Sequence, residues 1–272
     1  MMPLAYYSRA ATEEFWSEHW GGQDVDRLVR IASVSPLTTL LEDALPATGR
    51  ILEAGCGLGQ YVILLRQRRH AVVGADWSQE ALQRSRKAVA SSPLAVMDLS
   101  RLAAKDEAFA AYISLGVVEH DPKGPDAIVA EASRVLSPGG RLLLSVPYWN
   151  GARRLHTRRI VREGDEIRTA GGEFYQFAFT RHEVRAFVEA HGFKVTAFHP
   201  YDPARMWRTR FKRLAVELGG AGDHVGVVAG ESPRPRSRSM RRLARAALRR
   251  ILYSDVSLRL FGHMILAIAV KT

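Results

Sequence analysis

Glu53, the glycines at 55, 57 and 59, Asp76 and His120 are the residues whose types and spacing can do chemistry in this chain. Glu53 follows the apolar pair Ile51-Leu52, and the stretch 51–62, ILEAGCGLGQYV, runs through the three glycines into a helix-like segment. Apolar strand, glycine turn and helix are how a doubly wound α/β domain brings its backbone against a phosphate or cofactor. The spacing is G-x-G-x-G, not the G-x-G-x-x-G of dinucleotide folds. A carboxylate two residues before the first glycine suits a neutral or positive ligand better than a pyrophosphate. Asp76 closes the next apolar run 21 residues after Gly55, about the spacing at which an acid meets a ribose diol. His120 follows another apolar run, and an imidazole with its pKa near neutrality suits a general base.

The elements that must position these residues alternate from Gly49 onward. Apolar runs predict strands at 50–54, 71–75, 94–97, 110–115, 141–146, 193–198 and 263–270, nearly continuous in the way of a parallel sheet buried on both faces. Helices are expected over 58–68, from the N-cap Ser78 to about 90, over 126–136, and from Thr180 to Ala190, where Thr180 and Glu183 form a capping box. Ser137-Pro138-Gly139-Gly140 reads as a turn, and 150–179 as a polar loop over the cleft. Residues 1–45 read as a helical cap with Thr12 as an N-cap. Phe15, Trp16 and Trp20 on it either pack against the sheet or close over a ligand as a lid.

Five features in order resemble class I S-adenosylmethionine-dependent methyltransferases: the glycine turn, VVGADWS at 72–78, AVMD at 95–98, YISLGVVEHD at 112–121 and LSPGGRLLLSVP at 136–147. The resemblance covers residues 45–150 well and is most similar to the quinone-biosynthesis-like, small-molecule branch. It implies an α/β, Rossmann-like, doubly wound seven-stranded sheet with an N-terminal helical cap and a basic helical insertion between strands 6 and 7. The boundaries expected are 1–45 for the cap, 46–200 with 263–272 for the cofactor-binding domain, and 201–262 for the insertion. It implies S-adenosyl-L-methionine as cofactor and a methyl acceptor as second substrate. Gly55, Gly57 and Gly59 would admit the cofactor, Asp76 would hold the ribose, Trp77 the adenine face and Asp98 the adenine amino group. Glu53 would orient the glycine loop or the amino end of the methionine moiety, and Leu115 would complete the cofactor contacts. His120 is the base candidate, latched by Tyr6 or Tyr7 as in phosphoethanolamine-type relatives; packing at the strand end is the competing role. Tyr148, Trp149 and Tyr175 flank the presumed cleft.

Charge and composition narrow the partners. The chain of 272 residues carries a net charge of +11, and the excess is local. Residues 204–250 hold 13 Lys plus Arg against 3 Asp plus Glu, whereas the rest holds 26 against 25. Within that segment PRPRSR at 233–238 reads as a connector. Met240, Leu243, Ala244, Ala247, Leu248, Ile251 and Leu252 then form an apolar stripe, with Arg241, Arg245 and Arg249 in a separate row. Such a helix packs on the core, lies on an anionic membrane surface, or holds an acidic substrate. Nucleic acid is a weaker partner, because LGVVEHD lacks the Asn/Asp-Pro-Pro-aromatic motif of DNA and RNA amino-methyltransferases. The single cysteine, Cys56, allows no intrachain disulfide, and the histidines lack metal-ligand spacing, so no metal is expected. Without a signal peptide or a run long enough to span a bilayer, the chain reads as cytoplasmic, with peripheral attachment to the inner face of the membrane as a further expectation. The expected reaction is methylation at oxygen or nitrogen of a small metabolite, acidic or lipid-linked. An RNA or protein methyltransferase, or a non-catalytic cofactor-binding scaffold tethered to membrane, is the alternative.

Overall fold

In a computed structural model of the chain, which describes residues 3–90, 92–205 and 247–272, the central strands send successive side chains to opposite faces of one sheet. In β2 (Arg50–Ala54) Ile51 and Leu52 enter different cores. Tyr112 and Ile113 do the same in β5 (Phe109–Leu115), as do Leu143 and Leu144 in β6 (Leu136–Pro147). One core gathers Leu41 of α3 (Pro36–Ala44) and Val62 and Leu65 of α4 (Gln60–Gln67). The other gathers Val129 and Val135 of α6 (Asp126–Val135) and Val184 and Val188 of α9 (Arg181–Glu189). A sheet covered on both faces explains the unbroken apolar runs.

Seven strands pair in the order β4-β3-β2-β5-β6-β9-β8, with β3 at Ala71–Asp76, β4 at Leu94–Val96, β8 at Phe193–Tyr201 and β9 at Met264–Lys271. All neighbours are parallel except β9, which runs antiparallel to both β6 and β8. The order reverses between β2 and β5, and ligands bind at such a switch point, outside the carboxyl ends of the strands. α5 (Gln79–Ala88) starts on the Ser78 cap, whose side chain accepts from the Ala81 amide, and α9 starts on the Thr180–Glu183 capping box. Ser137–Gly140 lies inside β6 rather than before it. The pairing jumps from Phe109↔Leu136 to Ala111↔Arg141, so the tetrapeptide bulges from the strand edge.

Two further expectations change. The first 45 residues are not all helix: β1 (Leu4–Ser8) precedes α1 (Glu13–Gly21) and α2 (Val25–Ser33) and pairs antiparallel with β7 (Glu173–Ala178) in a separate two-stranded sheet. Residues 150–179 are not a loop. They form α7 (Gly151–Leu155), α8 (Thr157–Thr169) and β7. α8 is a solvent-facing helix in which only Gly164 is buried, laced by pairs such as Arg159–Glu163 at 2.6 Å, so it carries little apolar periodicity. Of the basic segment, only its start at 201–205 and the part from 247 lie within the described residues; 247–252 is helical, and α10 follows at Asp255–Phe261. The PRPRSR connector and the stripe before Ala247 lie outside the described residues.

Candidate active site

A cleft of about 1060 Å³ opens at the switch point, and its lining joins the carboxyl ends of β2, β3 and β5 to α1 and β7. Glu53, Gly55, Asp76, Trp77, Asp98, Leu115 and His120 line it. Gly57 and Gly59 lie behind that wall. Gly57 has φ +52°, and a Cβ there would stand 2.7 Å from the Trp20 ring, so only glycine admits α1 this close. Gly55 has φ +77°, and a Cβ would meet Val117 at 2.3 Å. Gly59 caps the start of α4.

Asp76 staples the glycine turn to the β3 end: its Oδ2 accepts from the Gly57 amide at 2.8 Å and its Oδ1 from the Ser78 amide at 2.9 Å. Each carboxylate oxygen retains a lone pair for a ligand hydroxyl. Burial raises the Asp76 pKa, and the amides of Ser78 and Gly57 oppose the rise. Asp98 is exposed and takes the amide and hydroxyl of Ser100 on Oδ1, which holds its pKa below the usual carboxylate value. Cys56 is fully inside the turn, and burial pushes its thiol well up, so it is no thiolate nucleophile.

His120 ends the 3-10 turn Val118–His120. Its Nδ1 lies 2.8 Å from the Tyr175 carbonyl of β7. A carbonyl only accepts, so Nδ1 carries the proton and Nε2 is left as a base. The rings of Trp16 and Tyr175 stand edge-on at 5.1 Å on the imidazole. Burial lowers its pKa below 6.5, opposed by the Tyr175 carbonyl. The expected tyrosine latch takes another form. Tyr6 faces Arg153 and Tyr7 packs by Arg168 and Phe174, on β1, and neither lines the cleft. The β1–β7 pairing instead brings a main-chain carbonyl, not a phenol, to His120. Tyr148 is buried in the β6–α9 core and bridges to Phe179, and Trp149 donates to Thr157, so of the three flanking aromatics only Tyr175 lines the cleft.

One residue escaped the sequence reading. Glu119 precedes His120, is 1% exposed and lines the cleft, and its Oε2 has no hydrogen-bond partner. Glu53 shares that condition at the end of β2, with Oε2 unpartnered at 2% exposure. Burial lifts both carboxyls to about 8. In the unfolded chain each titrates near 4.5, so folding takes up protons between these limits. The stability they contribute is fully present below 4.5 and is lost as the pH rises through about 8. The melting temperature of the cofactor-free protein is therefore expected to fall by several degrees between about pH 5 and about pH 8, and the fall to shrink in Glu53→Gln and Glu119→Gln. A profile that stays level, followed by circular dichroism, would mean both groups ionise freely in the fold.

A switch-point cleft with a glycine turn, an acid closing β3 and one antiparallel strand inside an otherwise parallel seven-stranded sheet defines the Rossmann-like fold of nucleoside-cofactor enzymes. Residues 52–144 match the family described as the methyltransferase domain. The chain is 34% identical over 102 residues to the phosphatidylethanolamine N-methyltransferase of Cereibacter sphaeroides, covering 35% of this chain and 49% of that protein. It is 30% identical over 100 residues to the ubiquinone/menaquinone biosynthesis C-methyltransferase UbiE of Desulfotalea psychrophila, covering 35% and 40%. The chain thus spans about half, or less, of the length of the curated relatives it matches. A solved S-adenosylmethionine-dependent methyltransferase from Methanosarcina mazei shares the fold, with a TM-score of 0.56 at 18% identity over 88% of this chain and 98% of that one. Over residues 52–144 the chain is thus similar to S-adenosylmethionine-dependent methyltransferases, and that likeness implies S-adenosylmethionine as cofactor.

The residues present fit that group. The unpartnered Glu53 oxygen is a buried acceptor suited to an ammonium, and it lines the same cleft as Gly55 and Asp76.

Proposed function

We propose that this chain transfers the methyl group of S-adenosylmethionine to nitrogen or oxygen of a small acceptor. The observation that carries this reading is His120, held as the Nδ1–H tautomer at the switch-point cleft that also contains Glu53 and Asp76. When bound, the cofactor supplies an activated methyl on a sulfonium, so the protein's work is alignment, exclusion of water and removal of one proton. In this reading Asp76 accepts from the ribose hydroxyls, Asp98 from the adenine amino group, Trp77 covers the adenine, and Glu53 accepts from the methionine ammonium. Trp16 and Trp20 cover the cleft from α1, and His120 Nε2 takes the acceptor's proton. Acceptor-dependent formation of S-adenosylhomocysteine tests it. Saturable cofactor binding without turnover on any amine, phenol or alcohol offered would leave a binding scaffold.

A peripheral membrane location is favoured by one further observation. Among the described residues no helix is long and apolar enough to cross a membrane, yet Ile251, Val256 and Leu260 are exposed at 66%, 68% and 43% beside the exposed Arg249, Arg250 and Arg259. Apolar side chains flanked by arginines suit an anionic bilayer surface. The protein is expected to co-sediment with anionic liposomes at low salt, and Ile251→Asp with Val256→Asp to reduce this several-fold without changing cofactor affinity. No pelleting with anionic liposomes even at low salt would rule the location out.

A further inference from the structure

The cleft carries a charge opposite to that of the chain. Although the net charge is +11, carboxyl groups outnumber lysine and arginine among the described lining residues by eight to one, the cation being the exposed Arg205. Glu53, Asp76 and Asp98 have cofactor roles in the reading above. Glu119 does not, and it is 1% exposed. It lies in the 3-10 turn after β5, with Oε1 beside Gly116 and its charge felt by Tyr201 of β8. The main-chain amides of Val117 and of Glu119 itself bond to the carboxyl group, yet Oε2 is buried and unpartnered. A buried carboxylate with an unmet oxygen is costly until a cation or strong donor meets it. The following residue, His120, lines the same cleft with its ring against Trp16 and Tyr175, and aromatic walls with a buried acid attract cations.

We propose that the methyl acceptor is an amine that enters as a cation, and that Glu119 recognises its ammonium group; this rests on the methyl-transfer reading above. One N–H proton passes from the ammonium to His120 Nε2. The freed nitrogen lone pair then forms the N–C bond to the methyl carbon as the C–S bond breaks and its electron pair returns to sulfur. The product is a methylated ammonium, again a cation, beside the same carboxylate, and the proton leaves His120 to solvent. Burial holds the Glu119 proton up to about pH 8 until a cation displaces it, so an acid here need not stand charged without a partner.

The test titrates the full chain, saturated with S-adenosylhomocysteine, with three probes of one shape and different charge: 2-phenylethylamine, 2-phenylethanol and phenylacetate. The amine is expected to bind about tenfold or more tighter than the alcohol, with the carboxylate weakest. In Glu119→Gln the preference for amine over alcohol should fall by about tenfold, with S-adenosylhomocysteine affinity kept as the control for folding. Equal binding of alcohol or carboxylate, no binding of the amine at millimolar concentration, or an unchanged preference in Glu119→Gln would overturn the proposal. The wild-type comparison stands even if the variant does not fold. If S-adenosylhomocysteine itself does not bind, the methyl-transfer reading falls first and this one with it; failure confined to the amine removes this one alone.

Discussion

Asp76→Ala is expected to weaken S-adenosylmethionine binding by about 10²–10⁴-fold. Two hydrogen bonds from ribose hydroxyls to a charged acceptor contribute roughly 1.5–3 kcal/mol each, and their joint loss converts to that range. The structure adds a second effect. The same carboxylate takes the amides of Gly57 and Ser78, so alanine also strands two buried donors, at a cost of about 1–3 kcal/mol each. The variant should therefore melt several degrees lower while still folding. Calorimetric titration beside a thermal melt separates the two effects. A variant that melts lower yet binds with wild-type affinity would make Asp76 a staple of the turn and nothing more.

His120→Ala is expected to lower kcat about 10²–10⁴-fold with little change in cofactor affinity, the usual loss when a positioned base is removed. The pH profile gives an independent readout. Burial outweighs the pull of the Tyr175 carbonyl and lowers the imidazole pKa, so the neutral, basic form persists into mildly acidic solution. The acidic limb of kcat in the wild type should thus have its midpoint below 6.5 and be absent from the residual activity of the variant. Full turnover in His120→Ala at saturating acceptor would confine the residue to packing between Trp16 and Tyr175.

Much of the α/β frame is legible in the sequence because its signals are local. Continuous apolar runs mark the strands, Ser78 and Thr180 are caps readable within four residues, and the glycine turn is one contiguous stretch. What escapes depends on partners distant in the chain. β1 is five residues whose pairing with β7 lies about 170 positions away, and nothing in LAYYS names that partner. α8 escapes for the opposite reason: it is held by charge pairs between successive turns, and its face toward water gives no apolar rhythm. In the site, a Glu before the base candidate reads as an ordinary surface acid. Only packing shows that Glu119 is buried with one oxygen unmet. The tyrosines mislead for a related reason: sequence nearness to the N-terminus says nothing about which side of β1 faces the base.

The antiparallel pairing of β8 and β9 has a consequence for how such a protein can diversify. Tyr201 pairs with Met264, and the His263 amide donates to the Asp202 carbonyl, so the chain leaves the sheet and returns to it at touching points. Closing a loop on such a neck costs free energy that grows only with the logarithm of its length. Segments of very different size can then be exchanged there without disturbing the strands that hold the cofactor side. Tyr201, Asp202, Arg205, Tyr253, His263 and Met264 all border the cleft, so each exchange reshapes that rim. The neck works as a socket: a segment can be grafted at one place while the glycine turn and Asp76 stay as they are.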